Sequence, residues 1–308
     1  MITAKTSKVF RGIAILMVIA SHYAAAMYVE PLRPAAKEFI SKLGVYGVDI
    51  FFLLSGYGLV KSYEKTGIDR AFVLKRIMNT YVPYLLVIGF FAIIEKGITT
   101  PMDVVYFLIG YDYWFMAVLF AMYLMFMIIY KIGKFKEIFI TIAILGFTYW
   151  LYSIEKADFW ELSNGAFLIG IYAASLELRF GDKVEEVIRK INLVAIASGV
   201  TMLGAYIYTG NGEMWAHMLT SMSFTVAVLG LCAISKCGGV ILPSIGRYSL
   251  YVYLLHLRLF WKIVMYRDAW SYVRGAVTAG IVTLVVCVAV GYSIEWNLKF
   301  ITDKLLKK

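Results

Sequence analysis

The sequence predicts an all-α fold: a polytopic transmembrane helical bundle of about ten helices, with both termini in the cytoplasm. Three observations predict it: the apolar composition, a series of long apolar runs, and the placement of lysine and arginine between those runs. Of the 308 residues, 61% are hydrophobic and 16% are charged, whereas soluble domains are roughly half apolar and roughly a quarter charged. A soluble fold of this size cannot hide so much apolar surface, so lipid must be the solvent for much of it.

Ten apolar runs have lengths that suit a membrane-spanning helix, which needs about 20 mostly apolar residues. They are residues 10–29, 44–62, 77–95, 113–130, 138–154, 165–179, 190–209, 217–235, 248–266 and 275–295. The apolar segment 102–111 is too short to span, so we expect it to be interfacial or re-entrant. No internal repeat or second domain is visible, and residues 1–308 are interpreted as one domain.

Lysine and arginine set the predicted orientation. If the N-terminus is inside, the inner segments hold 21 of these residues and the outer loops hold 7. Cytoplasmic loops of membrane proteins carry such an excess of positive charge, so both ends are predicted to be cytoplasmic. The protein is predicted to lie in the plasma (inner) membrane. An even number of spans follows, in agreement with the ten apolar runs.

Composition also excludes several other classes. The net charge of +10 lies in short stretches between apolar runs, as in membrane proteins, so we expect no nucleic-acid partner. The three cysteines, Cys232, Cys237 and Cys287, form neither a disulfide framework nor a zinc pattern, and we predict no metal. The first apolar run lacks a signal-peptidase pattern and is interpreted as a permanent helix.

Ionisable residues within predicted spans mark candidate functional positions, because placing them in lipid costs free energy. Arg11 and His22 are eleven residues apart, so both side chains project from one face of the first helix, roughly 16 Å apart along its axis. One face therefore offers a permanent cation at the cytoplasmic edge and a titratable group at depth. A coenzyme A thioester has a matching shape, with phosphates at one end and a reactive thioester at the other. A helix-end arginine and a packing histidine are the alternative.

The second predicted helix contains a buried carboxylate, Asp49, on the same face as Phe52 and Gly56. Such a carboxylate needs a partner, and His22 or Arg76 can supply one. A structural ion pair is the alternative to a catalytic role for Asp49.

Several short motifs follow one another along the whole chain. The most specific are Arg11-Gly-Ile-Ala-Ile-Leu with His22 after ten intervening residues, and Gly47-Val-Asp49-Ile-Phe-Phe-Leu-Leu-Ser55-Gly56-Tyr57. Weaker elements are Phe72-Val-Leu-Lys75-Arg76-Ile, Tyr81-Val-Pro83-Tyr84, Tyr113-Trp114-Phe115, Phe167-Leu-Ile-Gly170, Gly246-Arg247-Tyr248-Ser249 with His256, and Glu295 in the last helix. In this order, the motifs resemble those of the acyltransferase 3 family of membrane acyltransferases. The chain departs from the family pattern where Trp296 follows Glu295 and Leu257 follows His256, since proline is usual after the first and frequent after the second.

The resemblance implies O-acylation, usually acetylation, of a cell-envelope carbohydrate or lipid-linked glycan, with acetyl-CoA or another acyl-CoA as co-substrate. We expect the donor to contact Arg11, Ser55, Lys75, Arg76 and Trp114, and the acceptor to contact His256 and Glu295. A guanidinium at Arg76 suits phosphate because it can bind it bidentately.

Two chemistries fit His22. It is either a general base assisted by Asp49, or a nucleophile that is transiently acylated, and we prefer the base. A transporter or flippase of an envelope precursor, with His22 and Asp49 as a proton relay, is the rival from another class. The broken helices and inverted repeats that favour a transporter are not evident in the sequence. An envelope glycosyltransferase would need longer outer loops.

Overall fold

The computed structural model describes residues 2–26, 34–95, 97–181, 214–235, 239–265 and 273–306, with scattered positions between 183 and 199. Within these residues every regular element is helical, which confirms the all-α prediction. The α-helices are α1 (Ala4–Ala26), α2 (Pro34–Thr66), α3 (Arg70–Arg76), α4 (Val82–Ile94), α5 (Pro101–Ile109), α6 (Trp114–Tyr130), α7 (Lys136–Ser153), α8 (Asn164–Phe180), α9 (Met214–Ile234), α10 (Ile241–Arg247), α11 (Ser249–Met265) and α12 (Val273–Leu306). A π-helical turn, Ile77–Tyr81, joins α3 to α4.

Helices cover nine of the ten predicted apolar runs. The tenth, residues 190–209, lies outside the described residues except at positions 190 and 199. By length and hydropathy, three described helices can cross a membrane: Ala36–Thr66, Arg70–Ile94 and Thr278–Ile301. The membrane character of the chain is therefore supported, while the number of ten spans and the side of each terminus stay predictions.

The short apolar segment expected at 102–111 forms α5. Thr100 caps its first turn in a reciprocal capping box with Asp103, and Pro101 occupies the first turn, where a missing N–H costs nothing. Gly110 ends the helix in a left-handed conformation at φ 78°. Helices α5 and α6 then meet at 67°, as in a broken span or a re-entrant loop.

Close backbone contacts at glycines fix the centre of the bundle. Gly44 lies against Ser21, and Gly47 lies against Ala14 and Val18, so α1 and α2 pack closely and run antiparallel. Small residues allow helix backbones to approach in this way in lipid, where no hydrophobic force drives association.

Two further glycine contacts join the neighbouring helices to this pair. Gly170 of α8 lies against the Leu53 carbonyl of α2, and Gly246 of α10 lies against the Lys8 carbonyl of α1. Helix α2 is therefore central, with 67% of its apolar window buried, whereas only 22% of that of α12 is buried. The exposed apolar face of α12 suits contact with lipid.

Candidate functional site

Two histidines from distant parts of the chain meet between α1 and α11. The Nδ1 atom of His22 lies 2.8 Å from the Nε2 atom of His256. The two rings are nearly parallel, at 5°, with centroids 5.1 Å apart. Beside this pair, the rings of Tyr23 and Phe260 stack with centroids 3.7 Å apart, which is a second contact between the same two helices. His256 is only 1% exposed.

Backbone carbonyls determine which nitrogen of each ring carries hydrogen. The Nδ1 atom of His256 lies 3.0 Å from the Val252 carbonyl oxygen and 2.8 Å from that of Tyr253. Because a carbonyl only accepts, His256 Nδ1 must be the donor, and Nε2 of the neutral ring is left as an acceptor. His22 therefore donates its Nδ1–H to His256, and the Nε2 atom of His22 keeps a free lone pair. This is the tautomer that a general base needs.

A cavity of about 310 Å³ lies on the Arg11 side of the histidine pair, and neither histidine lines it. Four residues predicted to bind the donor line it: Arg11, Ser55, Lys75 and Arg76. Tyr253 also lines the cavity, and its ring centroid lies 6.1 Å from that of His256. Tyr253 therefore connects the lining of the cavity to His256, and cationic residues from α1 and α3 belong to the same lining.

The two arginines of this cavity have no carboxylate partner among the residues that the structure describes. Arg11 makes no hydrogen bond or ion pair to any residue that the structure describes. Arg76 donates Nη1–H to the Phe72 carbonyl oxygen at 3.3 Å, and its guanidinium lies 3.9 Å from the centroid of the Phe72 ring. Most donors of both side chains are thus available to an anion, for which a guanidinium is well suited.

Residues 7–292, nearly the whole chain, match the family model Acyl_transf_3, described as an acyltransferase domain. The chain belongs to the acyltransferase 3 family. No curated protein and no solved structure matches it.

In this acyltransferase, Asp49 does not contact His22, and the expectation that it does is wrong. Gly47 faces α1, and Asp49 lies two residues further on, about 200° around α2, so its side chain points away from α1. Ser21, the residue before His22, donates a hydrogen bond to the Ser41 carbonyl of α2. His22 therefore lies beside the Ser41 region of α2. Asp49 is therefore also displaced by roughly 10 Å along the helix axis.

Asp49 belongs instead to a buried polar cluster among α2, α8 and α9. Its side chain is fully buried, and Oδ1 accepts a hydrogen bond of 2.7 Å from Ser221. The other carboxylate oxygen, Oδ2, has no hydrogen-bond partner among the described residues. Asn164 of the same region donates to Thr148 at 3.1 Å. Asp49 thus links α2 to α9 and does not line the cavity that holds Arg11 and Arg76.

The two residues expected to bind the acceptor lie at opposite ends of α1. His256 contacts His22, whereas Glu295 accepts from Arg247 through both oxygens, at 2.9–3.2 Å. Glu295 lines a cavity together with Lys8, fourteen residues or roughly 21 Å from His22 along the helix. The two side chains therefore cannot contact one small acceptor group together.

Trp114 does not line the donor cavity, although its neighbour Phe115 does. Successive residues of a helix are rotated by about 100°, so Trp114 points elsewhere than Phe115. The Trp114 ring contacts that of Phe159, with centroids 5.2 Å apart.

Two charged residues of α11, Arg258 and Lys262, both form ion pairs with Glu95.

The pairing of His22 with His256 was not predicted. Both histidines lie in apolar runs, and the chain has only three histidines in all. That scarcity was the available signal, but 234 positions separate the two residues, and only the packing of α1 on α11 brings them together.

Proposed function

We propose that this acyltransferase moves an acyl group, most simply acetyl, from cytoplasmic acyl-CoA to a hydroxyl of a cell-envelope carbohydrate or lipid-linked glycan in the inner membrane. The observation that carries the proposal is the histidine pair, because it leaves His22 Nε2 as a hydrogen-bond acceptor on the face of α1 that also carries Arg11, a residue of the cationic cavity.

The donor is proposed to bind through its phosphates to Arg11 and Arg76, with Lys75 adding charge and Ser55 a hydroxyl. The pantetheine arm then extends along the cavity toward Tyr253 and the histidines. Since Arg11 and His22 are roughly 16 Å apart on one face of α1, an extended arm can bridge the interval between them.

His22 acts as the general base. The acceptor hydroxyl gives its proton to His22 Nε2 while the hydroxyl oxygen attacks the thioester carbonyl carbon. The tetrahedral intermediate collapses, the carbon–sulfur bond breaks, and the departing sulfur takes the proton back from His22. The products are an O-acyl ester and free CoA, and no charge is left on the enzyme.

His256 is a positioning residue in this scheme. Its Nε2 atom accepts the His22 Nδ1–H, which fixes the ring orientation and stabilises the positive charge that His22 carries after taking the proton. The same role was predicted for Asp49. A relay from His22 to Asp49, as in the rival transporter, has no direct contact to run through.

His22→Ala tests the proposal. The variant should insert and bind CoA as the wild type does, but lose acyl transfer. General-base assistance typically contributes 10²–10⁴-fold to a rate, so we expect a loss of about that size. Mass spectrometry of envelope glycans from cells expressing each form measures the transfer. A His22→Ala protein that is folded and acylates at nearly the normal rate would refute the mechanism.

A further inference from the structure

A second cavity, of about 520 Å³, lies beside the donor cavity and shares four of its residues. The shared wall consists of Arg11, Asn79, Ser249 and Leu250. Arg11 thus contributes to both cavities. A ligand that fills the first cavity can therefore continue past Arg11 into the second.

The second cavity carries an excess of positive charge. Among the described residues, Lys8, Arg11, Arg247 and Lys299 line it, together with one acidic residue, Glu295. Both oxygens of Glu295 are bound by Arg247. Neither Lys8 nor Lys299 has an ion-pair partner among the residues that the structure describes. Cations gathered without acidic partners repel one another unless an anion binds between them.

Close packing of backbones places these cations together. Gly246 lies against the Lys8 carbonyl, and a Cβ atom at position 246 would collide with it. This contact brings Arg247, the next residue, to the Lys8 end of α1. The cationic cavity therefore results from the α1–α10 contact, and it is not a chance meeting of flexible side chains.

We propose that this second cavity binds a phosphate monoester, namely the 3′-phosphate on the ribose of CoA, while the diphosphate of the same molecule lies at Arg11 and Arg76. The inference rests on the proposed donor. A phosphate monoester carries close to two negative charges at neutral pH, which matches two lysines without partners. The headgroup of an anionic lipid has related chemistry and is the other possible source of the phosphate.

Ligand discrimination tests this assignment. The purified acyltransferase in nanodiscs of neutral phosphatidylcholine is titrated with CoA and with 3′-dephospho-CoA. We expect CoA to bind on the order of tenfold more tightly, the size of one charge-assisted contact. Lys8→Ala and Lys299→Ala should reduce this preference while leaving the affinity for 3′-dephospho-CoA unchanged. Both side chains are exposed, so their truncation should not affect folding.

Lys65→Ala is the matched control, because Lys65 is exposed on the same predicted side of the membrane and lines neither cavity. It should keep the full preference for CoA. Equal affinities of the wild type for CoA and 3′-dephospho-CoA would overturn the assignment but leave the proposed function intact. Failure to bind either ligand would instead refute the proposed donor.

A second arm adds phosphatidylglycerol to the nanodiscs. If the 3′-phosphate occupies the cavity, the preference for CoA persists in this lipid. If a lipid headgroup occupies it, phosphatidylglycerol abolishes the preference, which would also overturn the assignment.

Discussion

At the scale of single residues, hydrogen-bond direction determines the chemistry that His22 can perform. The Val252 and Tyr253 carbonyls fix the tautomer of His256, which in turn fixes that of His22. A histidine can therefore take the orienting place that a carboxylate often has beside a catalytic imidazole. In a lipid-embedded site this arrangement has an advantage, since a neutral ring costs less free energy to bury than a carboxylate.

Substitution of His256 should separate positioning from binding. His256→Ala removes the acceptor for His22 Nδ1–H, so kcat should fall by about 10–10²-fold, less than the loss for a missing base. KM for acyl-CoA should change little. His256→Gln, which offers an amide oxygen as acceptor, should recover part of the rate. A change in KM with an unchanged kcat would contradict the positioning role.

The pH dependence of the rate should report on the same pair. A protonated His22 cannot accept a proton from the acceptor, so kcat should fall as pH drops through the titration of His22. His256→Ala should shift this limb, because the charged form of His22 loses its partner. Values of kcat measured across the acidic pH range with the wild type and His256→Ala check this. If kcat falls at the same pH in both proteins, His256 has no role in determining that pH.

Arg11 should govern the affinity for the donor. Arg11→Ala removes an unpaired guanidinium from both cavities, so acyl-CoA should bind more weakly, by on the order of tenfold. Arg11→Lys should rescue only part of the affinity, because an ammonium lacks the planar fork. Added salt should weaken binding by the wild type. Titration with acyl-CoA measures all three, and an unchanged affinity for Arg11→Ala would make the residue a helix-end anchor only.

At the scale of helices, close glycine contacts determine which faces meet. Gly47, turned toward α1, and Gly56, turned toward the Phe167 carbonyl of α8, lie on different faces of α2. Helix α2 thus presents Ser55 to a cavity and Asp49 to the polar cluster with α9. The two motif residues Asp49 and Ser55 therefore have different surroundings although only six positions separate them.

Gly170→Ala should destabilise the contact between α2 and α8. A Cβ atom at position 170 would collide with the Leu53 carbonyl, and such overpacking typically costs about 1–3 kcal/mol. Gly146→Ala is the control, because Gly146 is exposed in α7 with open space around its Cα. Thermal unfolding in detergent should show a lower Tm for Gly170→Ala only. Equal Tm values would contradict the close α2–α8 packing.

At the scale of the whole molecule, the exposed apolar surface and the uneven distribution of lysine and arginine both indicate a membrane protein. Its exposed apolar residues lie mainly on outer helices such as α7 and α12, while α2 is surrounded by protein. The donor cavities lie near the N-terminal end of α1, which the charge bias predicts to be cytoplasmic. Cytoplasmic acyl-CoA would then reach Arg11 and Lys8 directly.

Cysteine labelling checks the predicted orientation. A cysteine placed at Lys307 or Lys308, which lie outside the described residues, should be protected from a membrane-impermeant reagent in intact cells and labelled after permeabilisation. Protection follows from the excess of lysine and arginine on the predicted inner side. Labelling in intact cells would overturn the model of ten spans with both ends inside.

The sequence alone determined the helical class and the family, because these depend on local patterns. Apolar runs of spanning length, glycine-rich helix motifs and the eleven-residue spacing of Arg11 and His22 are all visible along one chain. The structure brings Arg11, Ser55, Lys75 and Arg76 to one cavity but leaves Trp114 outside it, and the binding of a donor there stays a prediction. Helix periodicity could foresee only that residues of one helix share a face.

Only the tertiary structure decided the partners of the buried polar groups. Periodicity gives relative angles within a helix but not the rotation of that helix against its neighbours, so the sequence could not tell whether Asp49 faces α1 or α9. The contacts at Gly47 and Ser221 determine that rotation, and the packing of α11 on α1 gives His22 the partner His256. Long-range packing therefore assigned the partners of both groups.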